Sequence, residues 1–179
     1  MPDPIAFPAS PFWDFSCEVY GRPGVAPACL ALQDRRGLDV NLILFCCWAG
    51  SRGQPLAPDD LRRLAAATAD WRARVVEPLR AVRRWLKGYT GPLPDLAQGL
   101  RGDVLARELD AEHVQQLLLA EGPPVVEGEG GPALATGNLR AYAAASGLRL
   151  EAADVAGLAT VVAGCFADIT PSDAIRLFD

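Results

Sequence analysis

Lysine, histidine and methionine occur once each in these 179 residues, as Lys87, His113 and Met1. One histidine is too few for the paired ligand motifs of carboxylate-bridged metal sites, and a Cys–His or Ser–His nucleophile would have to draw on His113 alone. Isoleucine, tyrosine and phenylalanine supply only 13 residues against 54 alanines and leucines, so helix formers outnumber strand formers other than valine. No CxxC, GxSxG, HExxH, P-loop or GxGxxG pattern occurs, which removes the common signatures of zinc, hydrolase and nucleotide sites. The longest apolar run, Leu42 to Ala49, has 8 residues, well below the ~18 of a membrane span. Positive charge is not in excess either: 17 basic residues face 22 acidic ones, so nucleic acid is an unfavoured partner. The opening Met1-Pro2-Asp3-Pro4 has neither the basic nor the apolar region of a secretory signal, and a cytoplasmic location is expected.

What remains is a helical, apolar chain. Half of its residues are apolar, enough for a real core, and the expected fold is an all-α, compact multi-helix bundle. Ser10-Pro11 reads as an N-cap followed by proline at the first helical position, which opens a helix to Tyr20. A second helix runs from Val25 to Arg35 and stops at Gly37. Asp39 then caps a third, about residues 40–49, so apolar that it has to be buried on all sides. A fourth helix starts at Pro58-Asp59-Asp60. With Asp70 as its N-cap, a fifth carries Trp71, Val75, Leu79, Val82 and Leu86 on one face, with a kink expected at Pro78. A sixth runs from Asp95 to Glu121, its apolar face built from Leu100, Val104, Ala111, Val114 and Leu118. The domain expectation is an extended arm at 1–9, a helical core at 10–121, a flexible Gly/Pro linker at 122–132 and an alanine-rich helical appendage at 133–179. The five cysteines are odd in number and sit within apolar helical patterns, so reduced, buried thiols are expected.

Two blocks carry a family resemblance. The first is Phe12-Trp13-Asp14-Phe15-Ser16, Arg22-Pro23-Gly24-Val25, Ala28 to Asp34 and Gly37 to Cys46; the second is Val76 to Lys87 with Glu108-Leu109-Asp110-Ala111-Glu112 and Gln116. Over about residues 11–121 the chain resembles an uncharacterised bacterial family of small helical proteins, a domain of unknown function. The resemblance implies no activity.

Four side-chain groups are candidates for function. At 100° per residue, Arg80, Arg83, Arg84 and Lys87 share an arc of about 100° on the side of the fifth helix away from Leu79, Val82 and Leu86. Guanidinium forks suit carboxylate or phosphate, so this face would receive an acidic protein partner or simply meet solvent. Glu108 lies at the edge of the sixth helix's apolar face, where a salt bridge to Arg80, Arg83 or Arg84 would fix the helix register. Glu108, Glu112, Asp110 and His113 have partial metal-ligand spacing, but a second motif is missing, and neither a metal nor another cofactor is expected. Asp34, Arg35, Asp39 and Asn41 crowd the turn between the second and third helices as helix end, cap and core network; as a functional set they would line the mouth of a pocket, with Asp34 or Asp39 as the general base. The aromatic set Phe12, Trp13, Phe15 and Tyr20 reads as core or a partner groove. The leading expectation is a non-catalytic protein-interaction module using the arginine face, with self-association compatible. The alternative is an enzyme or small-ligand binder with a polar pocket between helices 3, 5 and 6, lined by Asp39, Asn41, Arg80, Arg83 and Glu108.

Overall fold

Six consecutive apolar residues, Leu42 to Cys47, leave the third helix without a solvent face, and the chain is arranged around it. In the computed structural model, which describes residues 5–123, 125 and 128–179, every regular element among those residues is helical. The order is α1 (Pro11–Tyr20), α2 (Val25–Arg36), α3 (Val40–Ser51), α4 (Pro58–Trp71), α5 (Glu77–Lys87), α6 (Pro94–Ala120), α7 (Pro132–Ala145), α8 (Ala152–Cys165) and α9 (Pro171–Arg176). No helix of the described residues is long and apolar enough to cross a membrane. Phe12, Leu32, Leu42, Ile43, Phe45, Leu61, Leu119, Leu139 and Leu158 are fully buried in one core around α3.

The helix starts follow their capping chemistry. Ser10 Oγ accepts the Trp13 N–H at 3.2 Å and Asp39 Oδ1 accepts the Asn41 N–H at 2.9 Å, each satisfying a donor that the helix itself leaves unpaired. Gly37 closes α2 with φ +68°, the left-handed cap conformation that glycine adopts without strain.

Three expectations change here. The Asp70 cap and the Pro78 kink are replaced by a π turn, Arg72–Val76, that joins α4 to α5. Pro78 has no N–H to offer the preceding turn, and it sits in the first turn of α5 after the wider π turn, where that donor is not needed. On α6, Leu100 and Leu118 are exposed, whereas Glu108, Ala111, His113, Gln115, Gln116 and Leu119 are buried; α3 and α5 bring partners to Glu108 and the two glutamines, and His113 stacks on Phe7 and Trp13. Cys17 is exposed and Cys165 half-buried, while Cys29, Cys46 and Cys47 are buried, all as free thiols.

The C-terminal helices pack on the same core. Gly50 on α3 lets α7 approach so closely that a Cβ there would stand 2.4 Å from the Ala135 Cα. Asn138 on α7 accepts the Leu56 N–H at 2.8 Å and donates to the Cys46 carbonyl at 3.1 Å, and Tyr142 accepts the Asp39 N–H at 2.9 Å. Asp154 on α8, fully buried, receives Arg35 at 2.5 Å and Arg36 at 3.3 Å. Residues 133–179 therefore share one core with residues 10–121, and the expected appendage is not separate in its packing. Of the expected arm, residues 1–4 lie outside the described residues, and so do 124, 126 and 127 of the expected linker. Val125 packs against the core, and a Cβ on Gly130 would meet the Gly50 carbonyl at 2.1 Å.

Candidate functional site

The packing of a helix pair decides where the arginines of α5 point. Because α5 packs along α6, Arg80 and Arg83 project toward Glu108 and Glu112, which are spaced by one helical turn. Arg80 donates to Glu112 at 2.6 Å, to Glu108 at 3.3 Å and to Gln33 on α2 at 2.6 Å. Arg83 clasps Glu108 through its Nε and, at 3.0 Å, its Nη2. Two cations and two carboxylates thus form one nearly buried group. Burial works against the Arg80 charge, but Glu112 and Glu108 raise its pKa. Glu112 moves upward because burial outweighs the opposing pull of Arg80.

The expected outward arginine face is therefore divided. Val82, which the periodicity places toward the core, is exposed, while Arg80 and Arg83 turn inward. Arg84 pairs at the surface with Asp34 at 3.1 Å, and Lys87 is exposed at the end of α5. Asp34 consequently stands apart from the buried group.

Above this ion cluster lies a cavity of about 480 Å³ between α1, α2, α3, α5 and α6. Trp13, Ser16, Cys17 and Tyr20 come from α1, Leu30 and Gln33 from α2, and Val40, Asn41 and Leu44 from α3. Gly21 after α1, Arg80 and Arg83 from α5, and Leu105, Glu108, Leu109, Glu112 and Gln116 from α6 complete the wall. The size lies within the range of about 300–1,000 Å³ of small-molecule sites, and an apolar wall with a few fixed polar groups is their usual chemistry. The Tyr20 hydroxyl is pushed up chiefly by burial, and the neighbouring Cys29 and Glu112 act in the same direction.

Of the expected pocket residues, Asn41, Arg80, Arg83 and Glu108 line this cavity. Asp39 sits one shell behind. Its two carboxylate oxygens receive the Asn41 N–H and, at 2.6 Å, the Gln115 side-chain amide, with Arg72 Nε at 3.7 Å. Gln115 Oε1 in turn accepts from Asn41 Nδ2 at 3.0 Å, and Asn41 Oδ1 accepts from Gln116 Nε2 at 2.8 Å. Two buried wall atoms have no partner, Ser16 Oγ and Gln116 Oε1. Both atoms are closed off from the cavity space itself, and side-chain atoms of Trp48 and Thr136, away from it, are unpartnered in the same way. A second cavity, about 340 Å³ beside Arg72 and Tyr142, has no orphaned polar atom in its wall.

The His113 ring is buried between Phe7 and Trp13, with centroids 4.2 and 4.1 Å away. Burial lowers its pKa, against the pull of Asp110 and Asp14. Among the described residues no group of three or more His, Cys, Asp or Glu side chains could hold a metal.

Sequence reasoning missed Trp13, Ser16, Tyr20, Gln33 and Gln116 as wall residues. Only Gln116 carried a usable signal, a second amide beside Gln115 next to the helix's apolar face. A family model described as "Protein of unknown function (DUF2390)" matches residues 11–119, a segment that contains every residue of the cavity wall. No curated protein and no solved structure matches the chain.

Proposed function

The chain belongs to this family of proteins of unknown function, and we propose, from its cavity, that it binds a small organic molecule between α1, α2, α3, α5 and α6. The observation that carries this reading is the convergence of Asn41, Arg80, Arg83 and Glu108 on a 480 Å³ cavity with a largely apolar wall. The charges of Arg80 and Arg83 are met by Glu108 and Glu112, so the wall as a whole is balanced and suits a neutral ligand with an apolar body. Binding without chemistry is the form adopted here. Asp39 is occupied by cap and amide contacts, and Asp34 is paired at the surface, so neither candidate base is free at the cavity. A cytoplasmic protein fits the same reading.

A second reading, protein interaction, is favoured by a different surface from the arginine face. Trp85, Leu93, Leu96 and Leu100 are each exposed on the α5–α6 hairpin, and large apolar side chains left in solvent mark contact sites where they form one patch.

Leu105 stands at the cavity and is 40% exposed, so Leu105→Trp would plug the cavity without touching the buried core. Ligand-observed NMR with a mixture of neutral aromatic fragments is expected to find binders whose affinity falls by about tenfold or more in Leu105→Trp, the loss of one good contact set. Fragments that bind both proteins equally, or none that bind the wild type, would contradict the ligand reading.

A further inference from the structure

Tyr20 and Glu112 stand in different walls of the cavity, on α1 and α6, and each has a hydrogen-bonding atom without a partner. The hydroxyls of Tyr89 and Tyr142 are engaged, one donating to the Pro92 carbonyl and the other accepting the Asp39 N–H, both at 2.9 Å. The Tyr20 hydroxyl has no partner among the described residues, and unlike Ser16 Oγ it is not sealed off by its surroundings. Its direction follows from the charges that act on it, Glu112 on α6 and Arg80 and Arg83 on α5. The cavity is the space between α1 and those two helices, so a side chain that starts on α1 and reaches these charges points across it. Burial first, then Cys29 and Glu112, hold the proton on the hydroxyl, which makes it a donor.

Glu112 is half satisfied. Its Oε1 accepts from Arg80 at 2.6 Å, while Oε2 has no partner among the described residues and is not sealed off either. The Glu112 side chain keeps 24% of its surface, whereas Glu108, with both oxygens on Arg83, keeps 4%. Of the two carboxylates in the wall, Glu112 is therefore the one a ligand reaches. Donor and acceptor are near enough to act on one another and too far apart to bond. The mouth has the opposite character: Leu30, Leu105 and Leu109 line the cavity and are exposed, so apolar surface lies at the opening and the charged groups deeper in.

Resting on the ligand reading above, we infer that the cavity takes a neutral molecule whose polar head carries an acceptor and a donor side by side, as an amide or lactam does, the acceptor on the Tyr20 hydroxyl and the donor on Glu112 Oε2. The apolar body runs outward over Leu30, Leu105 and Leu109. A head that only accepts strips water from the carboxylate oxygen and gives nothing back, a loss larger than one neutral hydrogen bond supplies.

Three bicyclic probes of similar size separate the contributions: carbostyril, a lactam that accepts and donates; quinoline, which only accepts; and indole, which only donates. Affinities for the full chain and two variants are read by NMR titration. The wild type is expected to prefer carbostyril over quinoline by about tenfold, the scale of one hydrogen bond to a charged group. In Glu112→Gln the guanidinium of Arg80, which can only donate, holds the new amide by its oxygen and turns the NH₂ to the cavity. The open acceptor becomes a donor, and carbostyril is expected to lose its lead over quinoline. Tyr20→Phe removes the donor alone; carbostyril should weaken by about fivefold while indole changes by less than about twofold. Equal binding of the three probes by the wild type would overturn the head-group rule and leave the cavity reading standing. The same order in the wild type and both variants would overturn the roles of Tyr20 and Glu112. Failure of all three probes to bind the wild type would remove the cavity reading as well.

Discussion

Glu108 shows how one residue's energetic weight follows from its surroundings. Its carboxylate is buried and held by both Arg80 and Arg83, so Glu108→Ala strands two guanidinium groups in a poorly solvated place. The expected cost in chemical denaturation is about 3 kcal/mol or more. Glu112, farther round the helix, would be a bystander on spacing alone, but it takes Arg80 at 2.6 Å. Glu112→Ala is therefore expected to cost about 1.5 kcal/mol, a hydrogen bond to a charged group. Losses below about 1 kcal/mol at Glu108, the range of exposed pairs, would contradict the buried cluster. The single histidine allows an equally direct check. With its folded pKa lowered, the unfolded chain binds more protons in the window below 6.5, so stability rises with pH through that window and is lost on acidification. The NMR midpoint of His113 should lie below 6.5, and His113→Phe, which retains a stacking ring, should flatten the slope. A midpoint at or above 6.5 would refute the account. Burial pushes the Cys29 thiol up to about 12 and raises Cys46, while a hydrogen bond with Cys165, aided by burial, raises Cys47. A thiol reagent at neutral pH should accordingly modify the exposed Cys17 first in the native protein, and all five after denaturation.

At the scale of elements, capping and apolar runs were legible in the sequence, and partner-dependent faces were not. Ser10-Pro11, Gly37 and Asp39 mark their boundaries through local backbone chemistry, and the burial of α3 follows from an apolar run that offers no polar face. The buried side of α5 was misjudged because periodicity counts Val82 as core and arginine as surface. On this helix the carboxylates of α6 make Arg80 and Arg83 the inward residues. The α4–α5 junction was hidden for a related reason: a π turn leaves the helical spacing almost intact, so Pro78 suggested a kink. Helix contact also turns on glycine placement. Gly50→Ala would drive a methyl into the backbone of Ala135 and is expected to cost about 1–3 kcal/mol, as other overpacking does. Gly102, inside α6 with open space where its Cβ would stand, should gain about 0.5–1 kcal/mol on Gly102→Ala. Equal effects at the two positions in urea unfolding would dissolve the claim that Gly50 is a contact point.

For the whole molecule, the Gly/Pro composition of 122–132 suggested a boundary, because composition records chain entropy and says nothing of what the following helices touch. We propose that residues 11–179 unfold as one unit, since Leu139, Tyr142, Leu158 and Val162 share the core of α3, and Asn138 satisfies buried backbone groups on either side of Arg52–Gln54. Removing 122–179 should abolish the cooperative thermal transition; a truncated chain that still melts cooperatively would restore an independent 10–121 domain. The pocket was legible through Asn41, Arg80, Arg83 and Glu108, but its α1 wall was not, because Trp13, Ser16 and Tyr20 look like any core-facing helix until α6 is set opposite them. The most direct test of the central claim is methyl NMR of the full chain during addition of indole. The methyls of Val40, Leu44, Leu105 and Leu109 should shift together along one saturating curve, and the response should vanish in Leu105→Trp. Shifts confined to Leu96, Leu100 and Val82 on the exposed hairpin, with the cavity methyls unmoved, would contradict it.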